Sequence, residues 1–566
     1  MVVASLYPKK VSGKTYWYLR QMARVDGKPK MVAERYLGTA ADIEAAMAGA
    51  VSVPSGTRHL AFGAVAAGWA TLQRLGVIEI VDEVVGPRRA DAGASVGTYL
   101  ALAALNRLVD PRSKYAFADW WATTTAERFT GVRVGVLDHR RAWDATGRVS
   151  ATHLAEIERR ITARMIDEFD LAISSVALDM TNFATFIDSA NPHASLAQRG
   201  KAKQKRSDLR LVGLGLVVTR DGGVPILSHT YPGNRPDVTQ FGHMLTELCT
   251  RYAALPGDRD PLDHITVVFD AGQNSTANFI DLRARHIGYV TSLPPSDHPD
   301  LLALPTRKRR VVDKARFEGL SALETRKEIY GTPTRVILTH SPTLHSGQAR
   351  GLDQTLAKAI GRLSDLADRL ARGKTRRGRD AVTAEVTTIC SDPWVRRILT
   401  WQLAGEVPAE MRLSWSVDDE ARSLLEEEVF GKRVLVTNRE DWPIADVVGA
   451  YRSQSEAEFG FRQLKDPQVV SFSPMNHWTD QTIRVHTYTC VLALQVAHLM
   501  RRQAAQAGAS LSVRALLDSL AEVQETMLIY PSTGGRPKVR SLLTQTTTEQ
   551  DQLIDLFNIR RWAPRS

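Results

Sequence analysis

The order of hydrophobic and polar positions divides the chain into stretches with a strand period and stretches with a helix period. The runs TYWYLRQMARV and KMVAERYL alternate as strands do, and the Asp26-Gly27 pair between them is typical of a hairpin turn. The runs YLALAALNRLVD and HLAEIERRITARMIDEF repeat with a helical period. The pattern therefore predicts a small β unit at 1–55 and a helical region at 56–165.

From about residue 170 the pattern changes to strands. The apolar runs LAISSVALDMTNFATFI, LRLVGLGLVVT and GVPILSHTYPG come first, and helix then alternates with strand through HITVVFDAG and GYVTSL. Three antiparallel strands followed by alternating helix and strand fit a ribonuclease-H-like α/β core with a mixed sheet. We predict the first part of this core at 166–300 and its second part, which carries a long helix, at 441–504.

The segment at 301–440 interrupts the core and is predicted to be an insertion domain. It contains two basic clusters, Arg307-Lys308-Arg309-Arg310 and Lys374, Arg376, Arg377 and Arg379. These clusters either grip DNA or are solvated loops. The remaining segment, 505–566, is predicted to be a helical tail and a possible dimer contact.

The charge balance points to a polyanionic partner. The 566 residues include 73 Lys and Arg against 62 Asp and Glu, a formal net charge of +11. Such an excess favours nucleic acid first and an anionic membrane second. The helical region at 56–165, with Arg107, Arg112 and Lys114 near one helix break, is either a DNA-end-binding domain or an ordinary packed bundle. The three cysteines form no CxxC motif, which indicates buried thiols in a reducing compartment. Since no apolar run is long enough to span a bilayer, we expect a cytoplasmic protein without a membrane partner.

Two of the apolar runs end in an aspartate. Asp179 follows SSVAL, and Asp270 follows ITVVF. A carboxylate embedded in such a strand is costly to desolvate unless a cation or a salt bridge stabilises it. The two carboxylates are therefore candidates for a shared site at one sheet edge for Mg²⁺, which prefers oxygen ligands. The alternative is that each aspartate only caps the turn or helix that follows.

A third carboxylate lies on a predicted helix, IADVVGAYRSQSEAEFGFRQLK. Tyr451, Glu458 and Lys465 are spaced by seven and line one face, with Gln454 beside it. Glu456 points elsewhere, so Glu458 is the preferred ligand. A phenol, a carboxylate and an ammonium on one face suit a metal-bound phosphodiester. An ordinary solvated helix face is the alternative.

Together these motifs resemble the transposases of bacterial insertion sequences that carry an Asp-Asp-Glu triad on a ribonuclease-H-like core. More narrowly, the chain is similar to the branch with a Tyr-Arg-Glu-Lys signature and a β-strand insertion before the last glutamate. The matching motifs are Asp179-Met180-Thr181-Asn182, Asp270-Ala271-Gly272, and the signature residues Tyr451, Glu458 and Lys465. The stretches NRLVDPRSKYAFADWW and KRSDLRLVGLGLVVTRDGGVPILSHTYPGNRPD also resemble the family, so the likeness covers most of the chain.

The resemblance implies a cut-and-paste enzyme that cleaves DNA at the ends of its element and joins the 3′-OH to target DNA. Two Mg²⁺ or Mn²⁺ ions would be held by the catalytic residues Asp179, Asp270 and Glu458, with Asp179 bridging both ions. The expected partners are double-stranded DNA, as terminal inverted repeats and as target, and a second copy of the chain in a homodimer. The residues expected to contact DNA phosphates are Tyr451, Gln454, Arg462 and Lys465.

Two positions depart from the family's pattern. Gln454 stands where the signature has arginine, and a neutral amide cannot make a charge-assisted contact with phosphate. Ala271 stands where the family often has arginine after the second aspartate. A catalytically silent DNA-binding protein derived from a transposase is therefore the alternative function. A metal-dependent phosphatase is a further rival, but Thr181 stands where such enzymes typically have a second aspartate.

Overall fold

A computed structural model of the chain describes residues 2–25, 28–47, 53–88, 92–188, 190–200, 208–253, 265–373, 377–531 and 537–564. The predicted Asp26-Gly27 turn lies outside these ranges, as do Lys374 and Arg376 of the second basic cluster. The chain divides into two compact units, which are described separately below. The first unit comprises Met1–Ala66, Ala122–Gly131 and Asp518–Ser566, and the second comprises Ala67–Trp121 and Val132–Leu517.

The strands are, in chain order, β1 (Val2–Val11), β2 (Lys14–Val25), β3 (Lys28–Gly38), β4 (Gly56–Ala61), β5 (Ser175–Thr185), β6 (Arg210–Thr219), β7 (Pro225–Pro232), β8 (Thr266–Phe269), β9 (Gly288–Leu293), β10 (Arg310–Val311), β11 (Ser321–Ile329), β12 (Thr332–His340), β13 (Leu399–Ala404), β14 (Arg412–Val417), β15 (Lys432–Thr437), β16 (Gln524–Tyr530) and β17 (Lys538–Leu543).

The helices are α1 (Ala40–Met47), α2 (Gly63–Arg74), α3 (Val77–Val85), α4 (Val96–Val109), α5 (Phe117–Ala122), α6 (Ala126–Thr130), α7 (His139–Gly147), α8 (Ala151–Phe169), α9 (Asp237–Ala253), α10 (Thr276–Ala284), α11 (Pro299–Leu302), α12 (Pro342–Ala371), α13 (Arg379–Ile389), α14 (Pro393–Ile398), α15 (Asp419–Val429), α16 (Ile444–Arg452), α17 (Gln454–Leu464), α18 (Asp480–Gln506), α19 (Val513–Ala521) and α20 (Thr548–Leu556).

A mixed sheet organises the second unit. Its described strands run in the order β10-β11-β12-β15-β9-β8-β5-β6-β7. Strands β5, β6 and β7 are antiparallel neighbours, and β8 and β9 run parallel to β5. Three antiparallel strands with two parallel strands added beside the first of them are the ribonuclease-H-like arrangement, so the predicted α/β fold class is confirmed.

Helices cover both faces of this sheet, which explains why its central strands are almost continuously apolar. Nine of the ten residues of β6 are buried. Helix α9 lies on one face, where its Met244 packs against Gly215 of β6, and α17 packs against β5 and β6. Gly213 is required by packing, because an added Cβ would lie 2.2 Å from the ring of Tyr231 on β7.

Part of the predicted insertion belongs to the core sheet. Strands β10, β11, β12 and β15 lie within 301–440, and they extend the sheet beyond β9. The remainder, α12 to α15 with the β13–β14 hairpin, packs around an apolar core of its own. This core includes Leu363 on α12, Val386 on α13 and Leu425 on α15. The separate part of the insertion is therefore mainly helical.

The predicted helices before the core pack against it. Helix α4 packs against α3, α7 and α18, and α8 packs against α3 and α18. Arg107 of α4 is buried, and its guanidinium donates to the carbonyl oxygen of Ser473 at 2.9 Å. These helices therefore form a packed layer. Within it, the Arg107 guanidinium is bonded to the protein's own backbone.

The first unit contains two small sheets in its described part. Strands β1, β2 and β3 form one, as expected for 1–55, and β17, β16 and β4 form the other. The predicted helical tail at 505–566 is corrected here, because β16 and β17 interrupt it. Strand β16 pairs with β4 from Gln524↔Ala61 to Ile529↔Gly56. Because β4 and β16 are far apart in sequence, the local hydrophobic pattern does not predict that they pair.

The three cysteines agree with the prediction of buried thiols. Cys249, Cys390 and Cys490 are free and buried. Among the described residues no single helix has the length and apolar character needed to cross a membrane, although the bent pair α2–α3 meets those two criteria together.

Candidate catalytic site

Asp179 and Asp270 stand level on neighbouring strands. Strands β5 and β8 are parallel and in register at Ala177↔Val268. Two residues further on, Asp179 lies in β5 and Asp270 directly follows the end of β8. If the register continued, the two residues would be one strand spacing of about 4.8 Å apart. Asp179 is partly exposed and Asp270 is exposed. This register agrees with a shared site for the two acidic motifs at one sheet edge, which stays a prediction.

Both carboxylates face the side of the sheet that α16 and α17 cover. Alternate residues of β5 share a face, so Asp179, Thr181 and Phe183 point the same way. The Lys465 ammonium, just after α17, donates to Thr181 Oγ1 at 2.8 Å and lies 5.5 Å from the centre of the Phe183 ring. On α16, the Tyr451 hydroxyl lies 3.1 Å from Asp270 Oδ1.

Two hydroxyl groups hold the Asp270 carboxylate. Ser292 Oγ of β9 donates to Asp270 Oδ1 at 3.2 Å, and the Tyr451 hydroxyl lies 2.9 Å from Ser292 Oγ. Burial raises the pKa of Tyr451, and the charge of Asp270 raises it further. The hydrogen bond to Ser292 and the charge of Arg433 lower the pKa, but the net shift is upward. The phenol is therefore neutral at neutral pH and can donate a hydrogen bond.

The helix that carries the third carboxylate is divided in two. The single predicted helix is corrected to α16 and α17, which meet at Ser453. Ser453 keeps a right-handed helical conformation (φ −66°, ψ −12°), and its hydroxyl donates to the carbonyl oxygen of Ala450 at 2.6 Å. A serine that bonds back to its own helix disturbs the regular backbone ladder.

Glu458 lies between two points at which this helix pair is fixed to the sheet. Tyr451 fixes one end to Asp270, and Lys465 fixes the other end to Thr181. Glu458 is seven residues from each in sequence. It lies on α17, after the break at Ser453, about two turns before Lys465 and on the same face as that residue. Its side chain is exposed. Glu456 is instead paired with Arg501 of α18 at 2.8 Å, so it points away from this face, as expected.

The donor set suits a hard cation. The oxygen-bearing groups are the carboxylates of Asp179, Asp270 and Glu458, with the hydroxyl of Ser292 beside them, and Mg²⁺ and Mn²⁺ prefer such ligands. Across the described ranges, no three His, Cys, Asp or Glu side chains are close enough together to hold a metal ion. Carboxylates repel one another unless a cation lies between them. The chemistry of these oxygen groups therefore suits Mg²⁺ or Mn²⁺, whereas the described side chains are not gathered around one metal position.

The other predicted phosphate contacts have different environments. Gln454 is 6% exposed, and its Oε1 has no hydrogen-bond partner among the described residues. Arg462 is exposed and lies 5.8 Å from the centre of the Phe459 ring. Lys465 is partly exposed beside Thr181. Of these residues, Arg462 is exposed to solvent and Lys465 is bound to Thr181, whereas Gln454 is buried in the protein.

The two basic clusters also differ. In the first cluster, Arg307, Lys308 and Arg310 are exposed. In the second, Arg377 pairs with Glu385 at 2.8 Å, and Arg379 donates to the carbonyl oxygen of Leu403 at 2.7 Å. The first cluster therefore presents its charge to solvent, while the described arginines of the second stabilise the insertion.

Sequence reasoning missed two residues of this site, Ser292 and Arg433. Phe269 pairs with Thr291 across β8 and β9, so Ser292 stands level with Asp270. A polar residue at the end of a third apolar strand was the signal for it. Arg433 of β15 is exposed, and its guanidinium carbon lies 5.0 Å from the centre of the Tyr451 ring. No sequence signal marks Arg433, because it reaches the site only through the pairing of β15 with β9.

No known protein-family model matches the chain, and no curated protein matches it. Among solved structures, the chain is similar to a piggyBac transposase in a synaptic complex with hairpin DNA. The TM-score is 0.38 and the sequence identity is 8%, over 83% of this chain and 82% of that one.

Proposed function

We propose that the chain is a DNA transposase that cleaves the ends of its element and joins the freed 3′-OH to target DNA. The observation that supports the proposal is the position of two aspartates and of the helix pair that carries Glu458. Asp179 lies on β5, and Asp270 directly follows the parallel neighbouring strand β8. The helix pair that carries Glu458 is attached to both of these strands, through Tyr451 and Lys465.

In this proposal Asp179, Asp270 and Glu458 would hold two Mg²⁺ or Mn²⁺ ions. The ions supply the Lewis acidity that phosphodiester cleavage and strand transfer require. Tyr451 and Ser292 orient the Asp270 carboxylate. Lys465 positions the helix pair through Thr181 and adds a positive charge near the scissile phosphate.

The proposed partner is double-stranded DNA, as terminal inverted repeats and as target. The net charge of +11 favours binding to phosphates through counterion release. The exposed Arg307, Lys308 and Arg310 give the insertion a surface for DNA that flanks the cut. A homodimer that brings two ends together and a location at the bacterial nucleoid in the cytoplasm complete the proposal.

Cleavage of a labelled duplex that carries the element's terminal repeat tests the proposal. Wild-type protein with Mg²⁺ or Mn²⁺ is expected to nick the DNA at the repeat boundary, and EDTA is expected to stop the reaction. Cleavage that persists in EDTA would rule out the metal-dependent mechanism.

A second candidate function is a silent DNA-binding protein descended from a transposase. The burial of Gln454, with its unpartnered oxygen, favours this candidate, because the signature's phosphate-binding arginine is missing there. Stable, specific binding of the repeat duplex without any nicking by the wild type would establish it.

Arg433 is expected to take over part of the role that an arginine at position 454 would have. Arg433→Met should lower the cleavage rate about 10- to 100-fold, since a hydrogen bond to a charged group contributes about 1.5–3 kcal/mol. Arg452→Met is the matched control, because Arg452 is exposed on α16 but stacks on Phe317, with 4.6 Å between its guanidinium carbon and the ring centre. Single-turnover cleavage rates measure both. Equal rates for the two variants would exclude Arg433 from the site.

A further inference from the structure

A basic and aromatic cleft lies in the second unit, on the helical layer before the core sheet. It is lined by Lys114, Tyr115, Trp143, Asn476 and His477, it is open to solvent, and its cavity volume is about 100 Å³. We call it the Lys114–Trp143 cleft. Its residues come from the segment after α4, from α7 and from the loop between α17 and α18, so it is separate from the carboxylates of the catalytic site.

The two cationic side chains of the cleft, Lys114 and Arg107, have no negatively charged partner among the described residues. Lys114 has no carboxylate or hydrogen-bond partner among the described residues, and burial with the nearby Arg107 charge lowers its pKa to about 8. Arg107 itself donates only to backbone carbonyls. Burial and these two cations lower the pKa of His477 to about 3, so its ring is neutral. Buried cations are costly unless paired, and a phosphate would supply the missing charge.

The walls of the cleft are aromatic rings that reach solvent. Tyr115 is 75% exposed and Trp143 is 38% exposed. The Lys114 ammonium lies 5.1 Å from the centre of the Trp143 ring, and the Tyr115 ring packs at a tilt of 31° against His139 with 4.4 Å between centres. Exposed rings beside unpaired cations are the combination with which proteins bind single nucleic-acid strands, since bases stack on rings while phosphates meet the charges.

Strand β5 connects the cleft to the catalytic site. Just beyond β5, the Phe186 amide donates to the carbonyl oxygen of Met475 at 2.9 Å, and Met475 belongs to the loop that carries His477. Phe186 is seven residues from Asp179, a distance of about 23 Å along the strand. At 3.4 Å per base pair, this equals about seven base pairs of B-DNA. The loop that carries His477 is therefore attached to the chain just beyond the end of β5, the strand that carries Asp179.

We propose that the Lys114–Trp143 cleft binds an unpaired nucleotide of the DNA substrate. Its phosphate would contact the Lys114 ammonium, and its base would stack against Trp143 or Tyr115. The proposal rests on the proposed function for the identity of the DNA, while the binding itself does not depend on catalysis.

Binding of single-stranded DNA by the full chain in EDTA tests the proposal, because no cleavage then intervenes. Fluorescence anisotropy compares labelled (dT)₁₂ with a 12-base-pair duplex. Trp143→Ala and Lys114→Met are each expected to weaken (dT)₁₂ binding about tenfold or more and to change duplex binding less than about twofold. The matched controls are Trp478→Ala, which removes an exposed indole outside the cleft, and Lys358→Met, which removes an exposed charge on α12. Both should bind (dT)₁₂ as the wild type does.

Photo-crosslinking of a 5-iododeoxyuridine oligonucleotide to the wild-type chain adds a measurement that no folding defect can affect. Crosslinks are expected in the peptides that contain Tyr115 or Trp143. Unchanged (dT)₁₂ binding by both cleft variants, or an equal loss of duplex binding, would overturn the cleft assignment even if the wild type cleaves DNA. Selective loss of (dT)₁₂ binding would sustain it even if the wild type cleaves nothing, in which case the proposed function alone fails.

Discussion

Glu458→Gln is expected to reduce DNA cleavage on the order of a thousandfold. A metal site contributes several kcal/mol to the stabilisation of the transition state, and each 1.36 kcal/mol changes the rate tenfold. Glu456→Gln, two residues away on the same helix, is the matched control, because Glu456 is paired with Arg501. Its cleavage rate should stay within about threefold of wild type, since a partly exposed ion pair contributes about 0–1 kcal/mol.

Single-turnover cleavage of the repeat duplex, with binding measured in parallel, gives both values. DNA binding by Glu458→Gln should persist, which separates a lost metal ligand from a lost fold. If Glu456→Gln is the inactive variant and Glu458→Gln the active one, the assignment of the third carboxylate is wrong.

Glu158→Ala is expected to have the largest effect on stability. Glu158 of α8 is 4% exposed, pairs with Arg251 of α9, and accepts hydrogen bonds from the amide and the hydroxyl of Ser228 on β7. It therefore joins two helices to the edge strand of the core sheet. Removing it leaves the Arg251 charge buried without its main partner, a change that typically costs about 3–5 kcal/mol.

Urea unfolding followed by circular dichroism measures this cost as a lower midpoint for the transition of the second unit. Glu156→Ala is the control on the same helix. Its carboxylate pairs with Arg159 and Arg160 at the surface, so the expected loss is about 0–1 kcal/mol. Equal midpoints for the two variants would show that the buried pair contributes no more than a surface pair.

The core of the fold could be predicted from the sequence because its signals are local. Strands β5 and β6 are buried on both faces, and each appears in the sequence as an apolar run. The order of three such strands followed by helix and strand predicted the mixed sheet. The aspartates could be predicted for the same reason, since each lies within or at the end of such a run.

The remaining features depend on contacts between distant segments. The pairing of β16 with β4 and the extension of the sheet by β11, β12 and β15 join segments that are far apart in sequence. Ser292 and Arg433 enter the site through the same kind of pairing. Gln454 shows another limit of the helical pattern. The pattern placed it beside the Glu458 face, but packing buries it.

Mn²⁺ binding followed by electron paramagnetic resonance tests most directly whether the three carboxylates form one metal site. The wild-type chain is expected to bind Mn²⁺, and Asp179→Asn, which removes the ligand expected to bridge the two ions, should abolish this binding. Asp270→Asn and Glu458→Gln should each weaken it, and Glu456→Gln should bind as the wild type does. Wild-type Mn²⁺ binding by Asp179→Asn would contradict the proposed metal site.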